Sequence, residues 1–411
     1  MIESQKKMDV QKIRNDFPML AQSMSGHPLV YLDNAATTQK PQAVIYRIQD
    51  FLSNEYSNIH RGVYTFSQEA TREVEDARGK CRAFLNAAKN SEIIFVRGTT
   101  EGINLVATSF GRKLLKKDDE IIVGTTEHHS NLVPWQALCL EKGLKLRVIP
   151  VNDRGELDLE AFQNLLNART YLVAVAHVSN ALGTVNPIRE IIKRAHHAGA
   201  QVLIDGAQGA PHLVVDVQAL DCDFYCFSGH KVYGPTGVGV LYGKEKHLEA
   251  MDPYQFGGDM IESVSFEKTT FAKPPAKFEA GTPAIAEIIA LGTAIDYLNK
   301  LGMQNIMYYE QELLKDATEK LSSVRGLKII GTAEEKASLV SFELENIHPH
   351  DVGTVLNELG IAVRAGHHCA QPTMRRFGVP ATTRASFAFY NTKEEIDLLI
   401  QAILKTQKVF A

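Results

Sequence analysis

Short apolar, β-rich runs alternate with longer amphipathic ones along the first two thirds of this chain, and that alternation limits the fold more than any other feature. "EIIFV" (92–96) is followed by a helical pattern from Thr100, and "EIIVG" (120–124) by another from about Ser130. "YLVAVAHV" (171–178) precedes "IREIIKRAHHAG", a helix that Gly199 would close as its C-terminal cap. "QVLID" (201–205), "DFYCFS" (223–228) and "GVGVLYG" (237–243) come next. Strands that are apolar along their whole length are buried on both faces. Such runs separated by helices predict a mainly parallel sheet with helices on each side, an α/β fold.

The texture changes after about Pro253. "FEKTTFAKPPAKFEAGTP" (266–283) is polar, holds three prolines and reads as a long loop. A helical pattern covers 284–300, then "LKIIG", "SLVSFEL" and "TRASFAFYN" read as strands with helices between them, and a last helix covers 393–408. The expected organisation is a large domain over 25–290 and a smaller C-terminal α/β domain built from 1–24 and 291–411. The first helix, near 9–20, is expected to join the smaller one.

Charge excludes one class of partner. The formal net charge is -4, with both signs scattered, which gives no basic stripe for nucleic acid. The start, "MIESQKKMDVQKIRNDFPML", is polar and mixed in charge, and no apolar run nears the ~18 residues of a membrane helix. Five widely spaced cysteines, an odd number, suit free thiols and a reducing, cytoplasmic setting.

In open α/β sheets ligands bind at the carboxyl ends of the strands. Here the strands run into "RGTTEG", "TTEHHSN", "SNALG", "DGAQG" and "SGHKVYGPTG", so unusual polar residues gather at one end and imply a shared site. Lys231 lies in the last of these. A loop lysine is ordinarily solvated, but one surrounded by small polar residues at the active end can form a Schiff base with a carbonyl cofactor. The glycines at 234, 237 and 239 come after the lysine in the order G-x-x-G-x-G, which is not the dinucleotide fingerprint. Asp205 emerges from an apolar run and needs a partner. A protonated pyridinium nitrogen would serve, while a helix N-cap is the commoner role for an aspartate taken alone. Gly98, Thr99 and Thr100 at a strand-to-helix junction suit a phosphate, and Ser228 and His230 could complete its cup. His128 offers a flat ring for stacking. The adjacent histidines also raise metal binding, but the usual zinc spacings and a nearby cysteine pair are missing.

Lys231 in "SGHK", Asp205 and Gln208 in "DGAQ", "LDNAATTQKP" (32–41), "RGTTEGIN" and "RAGHHCA" (364–370) occur together and in order. This set resembles the second, SufS-type group of cysteine desulfurases, which it shares with selenocysteine lyase-like enzymes. The likeness runs from about Asp9 to the last helix. It implies a pyridoxal 5'-phosphate enzyme of fold type I, aspartate aminotransferase-like, working as a homodimer with sites at the subunit interface. Lys231 would carry the cofactor, Asp205 would pair with its ring nitrogen, Gln208 would bond its phenolic oxygen, and His128, counted with Lys231 and Cys369 as catalytic, would stack on the ring. Thr100, Ser228 and His230 would hold the phosphate, with Thr282 reaching over from the other subunit. Asn180 and Arg384 would hold the substrate carboxylate, and His60 and Arg364 would line the site. The implied reaction takes sulfur from L-cysteine, giving L-alanine and a persulfide on Cys369. An acceptor protein, SufE- or SufU-like, would collect the sulfur for iron–sulfur cluster assembly.

Cys369 sits in "VRAGHHCAQP", too polar for a core position, and adjacent His367 and His368 are poorly arranged to share a metal with it; a sulfur-accepting nucleophile suits both the loop and the lysine site. The loop is short, so Cys369 is expected to stay recessed, and a nearby cation such as Arg364 could raise its thiolate fraction. Selenocysteine lyase and cysteine sulfinate desulfinase are the alternatives on the same scaffold. A non-enzymatic metal-binding protein is the alternative from another class.

Overall fold

The computed structural model describes residues 8–411; the expected share of 1–7 in the smaller domain lies outside the described residues. Seven strands form the central sheet: β1 (Ile93–Val96), β2 (Glu120–Gly124), β3 (Lys145–Ile149), β4 (Thr170–Ala176), β5 (Gln201–Asp205), β6 (Phe224–Ser228) and β7 (Gly239–Gly243). Their order is β1-β7-β6-β5-β4-β2-β3, and only β7 runs antiparallel to its neighbours.

The unbroken apolar runs have a direct structural meaning. Alternate residues of each strand enter two different cores. Ile93, Phe95, Ile122, Val173, Val202 and Tyr225 pack on one face, and Ile94, Val96, Ile121, Leu172, Leu203 and Phe224 on the other. Each fully buried side chain of this size contributes ~1.5–3 kcal/mol by leaving water, so both faces must be covered by helices. Strand β3 was not announced by an apolar run, because it is the sheet's edge and its middle residues are exposed.

A second sheet holds β8 (Leu327–Ile330), β9 (Leu339–Leu344), β10 (Arg364–Gly366) and β11 (Thr382–Ser386), in the order β8-β9-β11-β10, all antiparallel. Val340, Phe342 and Ala385 of this sheet form a core with Leu313, Leu399 and Ile403. An exposed hairpin, Ile261–Val264 paired with Thr269–Phe271, lies before and within the stretch 266–283 that reads as a long loop. Its residues are exposed or half-buried on both sides, so no alternation of buried and exposed positions marks them. Val30–Tyr31 runs parallel to Ile361–Ala362, and Asp33 bridges to Ser386, which ties the "LDNAATT" segment to the second sheet. No helix among the described residues is long and apolar enough to cross a membrane.

Candidate active site

A cavity of about 470 Å³ opens where the carboxyl ends of β1, β2, β4, β5 and β6 meet the β10 loop and β11. Thr100, His128, Asn180, Asp205, Gln208, Ser228, His230 and Lys231 line it from the large sheet; Arg364, Cys369 and Arg384 line it from the second. Eleven of the residues singled out by sequence therefore share one wall-to-wall space.

Lys231 lies in the tight turn after β6. Burial lowers its pKa to about 8, against the opposing pull of Asp205. Asp205 ends β5 and is 5% exposed. It caps no helix; one oxygen accepts from the Ala207 N–H at 2.9 Å, an aspartate turn. Burial raises its pKa, and Lys231 lowers it. Glu127 lies close behind. Burial pushes it up to about 8, which favours its neutral form at pH 7 beside Asp205. Gln208 is buried with its amide donating to Ala35 O at 2.6 Å.

His128 begins the short helical turn after β2. Its Nδ1 accepts from the Ser130 N–H at 3.0 Å, which leaves the remaining proton on Nε2. Burial, then Lys231, lowers its pKa to about 4, so the ring stays neutral. Beside it is a nest of hydroxyls. Thr99 N–H donates to Ser228 Oγ at 2.9 Å, Thr99 and Ser228 share a bond of 2.9 Å, and Thr100 and Ser130 share one of 2.6 Å. His230 bonds Thr37 Oγ1 at 3.1 Å. Ser130 was not named as a site residue from the sequence, although it lies in a strand-end motif.

Cys369 is exposed, whereas the other four cysteines are buried. The expectation that it would be recessed is corrected for the single chain: the loop is pinned by its backbone and leaves the thiol uncovered. Cys369 O accepts from His129 N at 2.7 Å, Cys369 N donates to His367 Nδ1 at 3.1 Å, and Asn180 Nδ2 donates to His368 O at 2.7 Å. His368 and Cys369 both have left-handed backbone, φ 52° and 54°. His129 and His367 approach with ring centroids 5.7 Å apart. Among the described residues no three histidine, cysteine, aspartate or glutamate side chains converge to hold a metal.

Arg384 is 2% exposed and donates to Asn180 O at 2.8 Å. It also shares Asp33 with Arg364, and Asp33 was not foreseen. The signal was there: Asp33 ends the apolar run "LVYL", as Asp205 ends "QVLI". Two expected residues lie apart from the cavity. Thr282 accepts from Asn58 Nδ2 at 3.3 Å in a neighbouring groove. His60, exposed, has φ 75° and donates its N–H to Thr71 Oγ1.

The residues present fit pyridoxal phosphate. A buried amine of lowered pKa meets a buried carboxylate with one oxygen engaged, a neutral ring, mutually bonded hydroxyls and a buried, unpartnered Arg384 Nε. A lysine and an aspartate so placed at the strand ends of this sheet define a pyridoxal phosphate enzyme of fold type I. Residues 30–399 match the model of the aminotransferase class-V family. A cysteine desulfurase of Serratia proteamaculans is 53% identical over 97% of this chain and 98% of its own. One of Synechococcus elongatus is 54% identical over 97% of this chain, which spans 64% of that longer protein. The solved cysteine desulfurase CsdA of Escherichia coli superposes with a TM-score of 0.92 at 40% identity, covering 98% of this chain and 100% of CsdA. The chain belongs to the aminotransferase class-V family, among its cysteine desulfurases.

Proposed function

We propose that this protein removes sulfur from L-cysteine, leaving L-alanine and a persulfide on Cys369. The observation that carries the reading is one cavity holding both a buried lysine of lowered pKa and the single exposed cysteine. Bound pyridoxal phosphate supplies an electron sink for the pair left at the substrate's Cα. The remaining work falls to the chain. Lys231 would hold the cofactor, and its amine would take the Cα proton. Asp205 would keep a proton on the ring nitrogen. His128 would stack on the ring, and Thr100, Ser228 and His230 would hold the phosphate. Arg384 binds the α-carboxylate, with Asn180 anchoring it. Cys369 Sγ attacks the substrate sulfur, an S–S bond forms, and the C–S bond breaks with its electron pair going to the three-carbon unit, which takes up a proton to become alanine. Gln208 would bond the cofactor's phenolic oxygen.

The exposed thiol supports delivery to an acceptor protein of the SufE or SufU kind, for cluster assembly in the cytoplasm. Thr282 and His60 lie outside their own chain's cavity, which supports a homodimer in which they serve the partner's. The two sheets support a large and a smaller domain, but the expected boundary at 290 falls inside the helix Ile285–Leu301, whose Ile288, Ile295 and Leu298 pack in the large sheet's core together with Ile13 of the first helix and Phe17 just after it.

Alanine and sulfide release from L-cysteine, with an acceptor or a reductant present, tests the reading. Cys369→Ala is expected to keep the cofactor and lose persulfide and sulfide formation. Undiminished sulfur transfer by that variant would overturn the assignment. L-selenocysteine is the comparison substrate, because selenium leaves more readily and needs less help from a thiol.

A further inference from the structure

The segment 34–40, inside the "LDNAATTQKP" motif, is bonded at once to two parts of the site that come from different sheets. On one side it grips the end of β11, the strand that carries Arg384. Asn34 Nδ2 donates to Ser386 O at 2.7 Å, and the Ala35 N–H donates to Ser386 Oγ at 2.8 Å. The Gln39 N–H donates to the hydroxyl of buried Tyr390 at 2.9 Å, and that hydroxyl donates in turn to Asn34 Oδ1. On the other side the segment grips the turn that carries Lys231. His230 O, the carbonyl just before Lys231, accepts from the Thr38 N–H at 3.2 Å and from Lys40 Nζ at 2.8 Å, with the hydroxyls of Thr37 and Thr38 at 3.1 and 3.2 Å. Thr38 Oγ1 also accepts from the Tyr233 N–H at 3.1 Å, so one hydroxyl touches the chain on both sides of Lys231. The turn's own bonds run from Val232 and Gly234 to Gly229 O, at 3.0 Å each, and fasten neither His230 O nor the Tyr233 N–H. Tyr233 is fully buried with a left-handed φ of 64°, where an unpaired N–H is costly. Lys40 bonds neutral oxygens, Thr38 O at 2.6 Å as well as His230 O. Burial lowers its pKa to about 7, and an amine donates in either protonation state.

We infer that Thr38 and Lys40 are positioning residues for the Lys231 amine: they clamp the backbone on either side of it and tie that backbone to the strand that carries Arg384. The inference rests on the reading of Lys231 as the lysine that holds the cofactor. The carboxylate and the proton that the site handles are both on the substrate's Cα. The arginine that binds the one and the amine that takes the other must therefore keep a set separation, and a misplacement of ~1 Å can cost ~100-fold in rate. The two residues stand on different sheets, and the segment 34–40 is bonded to both. A rival role is open to test. Thr37 Oγ1 bonds the His230 ring at 3.1 Å, so a segment that served only the phosphate would act through that ring.

Pyridoxine 5'-phosphate has the cofactor's ring and phosphate but no aldehyde, so its Kd for cofactor-free protein reads the pocket without the amine. Two rates read the amine itself. One is covalent uptake of pyridoxal phosphate, fixed with borohydride and followed by mass. The other is exchange of the L-alanine Cα proton by the holoenzyme in D2O, followed by NMR. Thr38→Val keeps the shape and removes the hydroxyl; it is expected to slow both rates by about tenfold, the scale of one buried hydrogen bond, and to leave the pyridoxine 5'-phosphate Kd unchanged. Thr38→Ser, which restores the hydroxyl, is expected to restore both rates. Lys40→Met, at a half-buried position that spares the core, is expected to slow them in the same way. Rates unchanged in both Thr38→Val and Lys40→Met would overturn the inference. So would a pyridoxine 5'-phosphate Kd weakened by the same factor as the rates, or a Thr38→Ser protein as slow as Thr38→Val. Lys231→Ala separates the two levels: it should bind pyridoxine 5'-phosphate and take up no pyridoxal phosphate covalently. Covalent uptake that persists in it would overturn the reading of Lys231, and the inference with it.

Discussion

Lys231 is the residue whose electrostatics most directly set a measurable behaviour. Burial lowers its pKa to about 8, and Asp205 limits the drop. Only the unprotonated amine can attack the cofactor's aldehyde, so the sign is clear. Below about 8 the amine is charged and loading is slow; above it, loading approaches a plateau. The rate at which cofactor-free protein takes up pyridoxal phosphate, tracked by absorbance, is expected to rise through that pH. A rate that stays low until the ordinary lysine range, near ~10.4, would show that burial does not tune this amine. His128 next to it is held down to about 4 and contributes no charge over the same interval. Cys369 is governed by backbone conformation. A left-handed φ is uncommon for a non-glycine residue and costs of order 1–3 kcal/mol; here it is found at His368 and Cys369 in succession, where bonds from Asn180 and His129 hold it.

Among the elements, the amino end of β6 has a charge cluster opposite in placement to the active end. Asp223 is buried and accepts from Val202 N at 2.8 Å, from His196 Nε2 at 2.8 Å and from His247 Nε2 at 2.8 Å, with Lys244 Nζ at 3.2 Å. Burial disfavours its charge, but these partners together hold its pKa well below the usual carboxylate range. A depressed carboxylate pKa gives stability that is present above the unfolded value, ~3.9, and lost as the pH falls below it. Asp223→Asn is expected to cost about 3 kcal/mol at neutral pH, as removing one member of a buried ionic group does. A melting temperature unchanged at pH 7 would refute this. The same scale shows what the sequence could and could not disclose. Strands β2 and β5 are found over the very residues that their apolar runs predict, because a strand buried on both faces has no polar positions to blur it. The edge strand β3 and the exposed hairpin gave no such signal, since solvent relieves them of the need for apolar side chains. Asp33 was missed for another reason: its partners are more than 300 residues away, and only the paired sheets bring Arg364 and Arg384 to it.

At the scale of the whole molecule, the single chain has its site and leaves two of the residues assigned to it elsewhere. Thr282 borders a separate groove, and His60 lies in an exposed stretch with Val63, Tyr64 and Phe66, which are 91%, 52% and 51% exposed. Apolar side chains this exposed and neighbouring suit a surface that the proposed twofold pair would cover on each copy. The proposed dimer then makes a prediction that no monomer can meet. In it, each site combines Lys231 of one chain with Thr282 of the other. Lys231→Ala alone lacks the amine in both sites, and Thr282→Asp alone sets a negative charge against the phosphate in both. Dissociating and mixing the two variants produces mixed dimers in which one site has both native residues. Random pairing makes half of the dimers mixed, so the mixture is expected to recover roughly a quarter of the wild-type rate of alanine release. Light scattering should give twice the 45.5 kDa chain mass. Full-length monomers that turn over cysteine, or a mixture no more active than its parents, would place Thr282 outside the chemistry and leave the cavity complete within one chain.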